Sequence, residues 1–129
     1  MLEIRYSAPS DVAISGPVDE LQMMRRAILD LSASDAAQIS CVADSTIEPS
    51  PYDSLLSKLT IVKSNGPTKI SLKHERELQV EGSPACLAAL AAFFDFKFDA
   101  ERGTHSHYEY YEGNEWVAVD SMPLVISVK

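Results

Sequence analysis

At 129 residues, 46% of them hydrophobic, the chain has the length and apolar content of one globular domain spanning 1–129. Nineteen acids against eleven bases leave a net charge of −8, which weighs against nucleic acid and anionic membrane surfaces as partners and is compatible with a basic one. The longest apolar stretch, around Ala85 to Phe94, is too short to span a bilayer, and the N-terminus lacks a basic region followed by an apolar run. Two cysteines, Cys41 and Cys86, make no disulfide framework; buried thiols in a reducing cytoplasm are expected.

Residues 2–6 and 11–15 read as short strands around a Pro9-Ser10-Asp11 turn. Gly16-Pro17 breaks the second strand, and proline suits the first turn of a helix. Val18, Leu21, Met24, Ile28 and Leu31 then fall at three- and four-residue spacing, which makes one apolar helical stripe. Asp19 and Glu20 sit in the first turn, where the helix dipole favours negative charge. Ile39, Cys41 and Ala43 alternate with more polar neighbours as in a half-buried strand. Asp44 to Ser57, with Pro49 and Pro51, is the longest expected loop, with a helical turn at Tyr52 to Leu56. A strand at Leu59 to Lys63 ends at Asn65-Gly66-Pro67.

A hairpin is expected next, Lys69 to His74 and Glu77 to Glu81. Gly82-Ser83-Pro84 leads into a second helix with Ser83 as N-cap, and the alanine-rich run to Phe94 predicts burial on more than one side. Strands at His105 to Tyr111 and Leu124 to Val128 close the chain.

This second series repeats the first. Ile4 and Ile70, Gly16 and Gly82, and Ile28 and Phe94 are all separated by the same step along the chain. A common offset across a strand pattern, a glycine and a helical pattern predicts two copies of one supersecondary unit, about 1–64 and 67–129. The expected fold is α+β: two pseudo-symmetric ββαββ repeats, a mostly antiparallel sheet and two helices on one face.

Chemistry-bearing residues concentrate between Thr104 and Trp116. On a strand, His105, His107 and Glu109 would share one side, a grouping that could bind zinc or another divalent ion. The common offset sets these three against Ile39, Cys41 and Ala43, which look like core positions. Burying two imidazoles and a carboxylate together is costly, so a one-residue slip that turns Tyr108 and Tyr110 toward the helices is favoured. Tyr108, Tyr110, Tyr111 and Trp116 alternate with Glu109, Glu112, Glu115 and Asp120. Aromatics supply rigid contact area and carboxylates steer a basic partner, so Tyr108, Tyr110, Tyr111, Glu112, Glu115, Trp116 and Asp120 are the expected partner-binding residues.

Catalysis is not expected. Cys86 lies in the first turn of the second helix, but its apolar neighbours point to an inert thiol. There is no serine in a nucleophile elbow, no phosphate-binding glycine loop, and no cofactor is implied.

The run His105-Ser106-His107-Tyr108-Glu109-Tyr110-Tyr111, continuing to Ser121-Met122-Pro123-Leu124-Val125-Ile126, together with Val80-Glu81-Gly82 and Leu87-Ala88-Ala89-Leu90, resembles the bacterial immunity protein 32 family. The resemblance covers roughly the second half of the chain, and the first half only through the repeat. It implies a small α+β protein that protects a bacterium from a polymorphic toxin by direct, stoichiometric binding. An acidic chain would suit a basic toxin. The alternatives are a metal- or ligand-binding protein using His105 and His107, and a scaffold that forms a homodimer through its sheet.

Overall fold

A computed structural model describes residues 1–74 and 76–129. In chain order the elements are β1 (Glu3–Ser7), β2 (Asp11–Gly16), α1 (Val18–Ala33), β3 (Gln38–Val42), β4 (Ser54–Leu56) and β5 (Lys58–Lys63). They continue with β6 (Lys69–Lys73), β7 (Glu77–Gly82), α2 (Pro84–Ala91), a 3-10 turn at Ala92–Phe94, β8 (His105–Tyr108) and β9 (Leu124–Val128). The fold is α+β, but the strands divide into two mixed sheets, ordered β4-β1-β2-β9-β8 and β3-β5-β7-β6. Most of the described ladders are antiparallel. The two parallel ones, β2 with β9 and β5 with β7, each join a strand from the first half of the chain to one from the second.

The helices therefore do not lie on one face of a single sheet. Each carries the chain from one sheet to the other, and α1 packs chiefly against α2 and the turn that follows it. Leu21, Met24, Ile28 and Leu31 are the buried stripe of α1; Cys86, Leu87, Leu90 and Ala91 are buried in α2. Ile14, Val80 and Ile126 complete the same core. Ser83 caps α2, its Oγ accepting the Cys86 N–H at 3.2 Å. By contrast α1 starts on Pro17 with no side-chain cap. In its first turn Glu20 accepts from the N-terminal ammonium at 2.6 Å.

β1 and β6, and likewise β2 and β7, start and end at the common offset seen in the sequence. The carbonyls of Gly16 and Gly82 accept from Lys129 and Ser64, each at 2.9 Å. Leu59 pairs with Leu78, and Leu124 pairs with Val12, the equivalent of Leu78. Across the outer ladders Cys41 then faces Leu59 while Tyr108 faces Leu124, so β8 lies one residue further along than the constant offset predicts and β9 one residue earlier. That slip is what points Tyr108 inward and the two imidazoles outward.

The structure corrects the expected elements in two places. Residues Ser54–Leu56 form a strand, not a helical turn: they pair with β1, setting Ile4 opposite Leu56, and so satisfy an otherwise open edge while burying Leu56 completely. The strand from His105 stops at Tyr108 instead of Tyr111. Tyr108 pairs with Leu124, but the next N–H that would continue the ladder, that of Met122, is taken by the Ile70 carbonyl at 2.8 Å.

Among the described residues Glu3 is the buried carboxylate of the core, 4% exposed, and it takes charge-assisted bonds from Lys129 and from Arg5 Nη1, the latter at 2.8 Å. Burial pushes its carboxyl up, but Lys129 and Arg5 together hold it below the usual carboxylate range.

Leu90→Ala should destabilise the protein by about 2–5 kcal/mol in denaturant unfolding, because the side chain is 1% exposed between helix and sheets. The paired glycines should respond unequally. A Cβ on Gly82 would come within 3.2 Å of the Thr68 backbone, whereas on Gly16 its close neighbour is the movable end of the Leu2 side chain. Gly82→Ala should therefore lower the midpoint more than Gly16→Ala; equal losses would show that the Thr68 segment yields freely.

Candidate functional site

β8 is an edge strand whose side chains alternate exposed and inward. Ser106 turns in and donates from Oγ to the Phe93 carbonyl at 2.8 Å. Tyr108 turns in further: it is 3% exposed and meets the Phe93 ring edge-on, centroids 4.9 Å apart. Its hydroxyl lies beside the Thr68 side chain, yet no aligned hydrogen bond joins them and neither hydroxyl has a partner. Burial pushes the phenol up to about 12, against a smaller downward pull from Thr68. Tyr108 was expected to touch a partner. It is a core residue, and the reason is the register slip of β8.

His105 and His107 both face solvent, with ring centroids 5.0 Å apart in a T-shaped arrangement. His105 Nδ1 lies 3.0 Å from the Gly103 carbonyl. Glu109 falls beyond the end of the strand, so alternation no longer fixes it beside the two imidazoles. Among the described residues no group of three His, Cys, Asp or Glu is placed to hold a metal ion. The grouping His105, His107 and Glu109 expected for a metal is therefore not assembled.

After Tyr108 the chain leaves the sheet and makes a tight turn. Asn114 donates from its backbone N–H to the Tyr111 carbonyl at 2.9 Å, and the Asn114 Oδ1 accepts from the Trp116 N–H at 3.0 Å. Gly113 sits at φ 88°, a left-handed conformation that favours glycine. The next stretch runs along the outer edge of β6. Thr68 donates to the Trp116 carbonyl and accepts from Ala118, each at 2.8 Å, and Met122 donates to the Ile70 carbonyl at 2.8 Å. Ser121 Oγ accepts the Ile70 N–H at 2.8 Å. The connection between β8 and β9, two strands of one sheet, is thus laced to the other sheet.

This lacing sorts the expected partner-binding residues. Tyr111 and Trp116 stay 67% and 51% exposed, and Glu112 and Glu115 are exposed between them. Tyr110 is half-buried against the core. Asp120 pairs with Lys69 at 2.9 Å, and the Lys69 side chain holds its carboxyl below the ordinary aspartate value. Its charge is therefore matched within the molecule. A cleft of about 260 Å³ opens under the turn, walled by Phe93, Tyr108, Tyr111, Asn114, Trp116 and Val117.

A second cleft of about 350 Å³ lies beside β8, where Asp11 and Tyr52 meet His107, Glu109 and Pro123. Asp11 and Tyr52 were missed by sequence reasoning. They come from the start of β2 and the loop before β4, and no local pattern ties either to β8. His107 and Glu109 line both clefts.

No helix is long and apolar enough to cross a membrane. Compared with protein families, curated proteins and solved structures, the chain matches none.

Tyr108→Phe tests the core assignment. Removing a buried hydroxyl that has no hydrogen-bond partner should change stability by less than about 1 kcal/mol at neutral pH. The folded-state value is raised from 10.0 to about 12, so the stability it carries is fully present below pH 10 and is lost as pH rises through about 12. The wild type should lose stability across that window, and Tyr108→Phe should lose less; parallel pH curves would place the phenol in solvent.

Proposed function

We propose that this chain acts by binding another protein through the turn from Tyr111 to Trp116, and not by catalysis. The observation that carries the reading is the pairing of two exposed aromatic rings with an acidic turn over a cleft. Glu109, Glu112 and Glu115 make no ion pair among the described residues, unlike Asp120. Uncompensated carboxylates around aromatic anchors favour a basic partner: the acids speed encounter and the rings hold the complex.

The partner's identity rests on the resemblance to the bacterial immunity protein 32 family. On that reading the chain neutralises a basic toxin one-to-one, with the acidic turn covering the toxin's active site or substrate groove. The net charge of −8 supports such a target.

Capture from a lysate of the source organism, with this chain as bait, would supply the partner for kinetic measurements. Replacing Glu112 and Glu115 with lysine should then slow association several-fold and flatten its salt dependence, leaving the fold intact. Trp116→Ala should mainly speed dissociation. Tyr108→Phe should change neither rate. Binding unaltered by all of the Glu112, Glu115 and Trp116 substitutions would move the interface elsewhere and sink the proposal.

A further inference from the structure

Among the described residues the two sheets end in four edge strands, and three of them are protected. β6 is covered by the segment from Trp116 to Met122. β4 has only three residues and follows Pro49 and Pro51. β8 has four, and two of them are exposed histidines. β3 has none of these devices: Ala36 to Ala43 contains no charge and no proline, and its free side faces solvent.

The ladder fixes which groups are free. Lys63 donates to the Ala37 carbonyl and Ala43 donates to the Ser57 carbonyl, so the odd-numbered residues of β3 bond to β5. By the alternation of an antiparallel pair, the N–H and C=O of Gln38, Ser40 and Val42 point away from the sheet. The outward N–H of Asp44 is already taken by the Leu2 carbonyl at 2.9 Å, which closes the open stretch after Val42.

We propose that β3 pairs antiparallel with β3 of a second copy of this chain, with Ser40 on the two-fold axis. In this register Ser40 meets its own mate, and Gln38 meets Val42 on either side, so every outward backbone group of the strand is satisfied. Shifting the register in either direction loses at least one of these three pairs. The inward-facing side chains also match, since half-buried Ile39 meets half-buried Cys41.

Charge supports a second copy despite the net −8. Asp35 and Asp44 bracket the uncharged stretch, and the register sets them against Ser45 and Ala36, so no acid faces an acid. Beside the edge lies an apolar groove of about 340 Å³, formed by Met1, Leu2, Met23, Met24, Ala27 and Val42 around Glu20 and Cys41. Met1, Met23 and Val42 are largely exposed there. Pairing brings the partner's Ala36 and Ala37 to the Leu2 end of this groove, where small side chains allow close approach.

The test is the oligomeric state of the intact chain by sedimentation equilibrium, with two variants. Ser40→Pro removes an N–H that the monomer does not use, and Val42→Lys adds the charge that edge strands ordinarily carry. The wild type should sediment as a dimer, and both variants as monomers with unchanged circular dichroism.

The register is tested by crosslinking in a Cys41→Ala background. Directly opposed residues of a hydrogen-bonded pair have Cα atoms about 5.5 Å apart, within disulfide reach. Ser40→Cys should therefore oxidise to a covalent dimer and Gln38→Cys should not. A monomeric wild type, a dimer that survives both edge variants, or crosslinking at Gln38 as readily as at Ser40 would each overturn the proposal. Because β3 lies apart from the Tyr111–Trp116 turn, loss of the dimer with toxin binding intact would leave the functional reading standing.

Discussion

Two parallel ladders hold this molecule together: β2 on β9 and β5 on β7. Each joins the hairpin of one half of the chain to the last strand of the other, with Ile14 beside Ile126 and Ile61 beside Val80, all essentially buried. Neither half can complete a sheet alone, because its helix delivers the chain to the opposite sheet. The arrangement follows from chain geometry. A strand can lie parallel to an earlier one only after a crossover, and the segments between these strands supply it. Non-local pairing of this kind makes the closing of long loops a precondition of stability, so the two halves must fold together.

The interlock also explains where polar groups are buried. Glu3 on β1 meets Lys129 just past the end of β9, so the end of β9 is tied to β1 by a charge pair and to β2 by the Lys129–Gly16 backbone bond. An isolated carboxylate at 4% exposure would be costly, and Arg5 supplies the second donor that keeps it ionised. Tyr108 is the opposite case. Its ring fills the core beside Phe93, while its hydroxyl goes unmatched. Packing of the ring decides the position, and the polar end tolerates it.

Local pattern made much of this legible. The helical stripe from Val18 to Leu31, the proline and serine at the helix starts, and the strand alternation in β2 and β7 each express one element's own physics. Their boundaries are accordingly close to those expected. What was hidden depends on partners far away in the chain. Ser54–Leu56 carries no strand signature, and becomes a strand because β1 has an edge to fill. The strand at His105 ends early because Met122, well beyond Tyr108 in the chain, gives its N–H to Ile70 of the other sheet. The division into two sheets likewise follows from which strands pair, and a repeat in sequence is silent on whether its copies stack or exchange. At the candidate site the aromatic and acidic composition was visible in the sequence. The fate of each residue was not: Tyr108 is buried by register, and Asp120 is neutralised by a lysine on another sheet.

The same lacing bears on how the exposed turn could bind tightly. A connection as long as the one between β8 and β9 would ordinarily be mobile, and ordering it on a partner would consume much of the contact energy. Here the backbone bonds from Thr68 and Ile70 fix the stretch from Trp116 to Met122, and Asn114 and Gly113 fix the turn before it. The entropy of holding the Trp116 backbone in place is therefore already lost on folding. What remains for a partner to order is the Tyr111 and Trp116 side chains and the acidic residues between them. Aromatic side chains have few rotatable bonds, so that residual cost is small for the area they offer. On the proposed reading, a pre-ordered acidic turn of this kind would put the burden of recognition on the shape and positive charge of the partner.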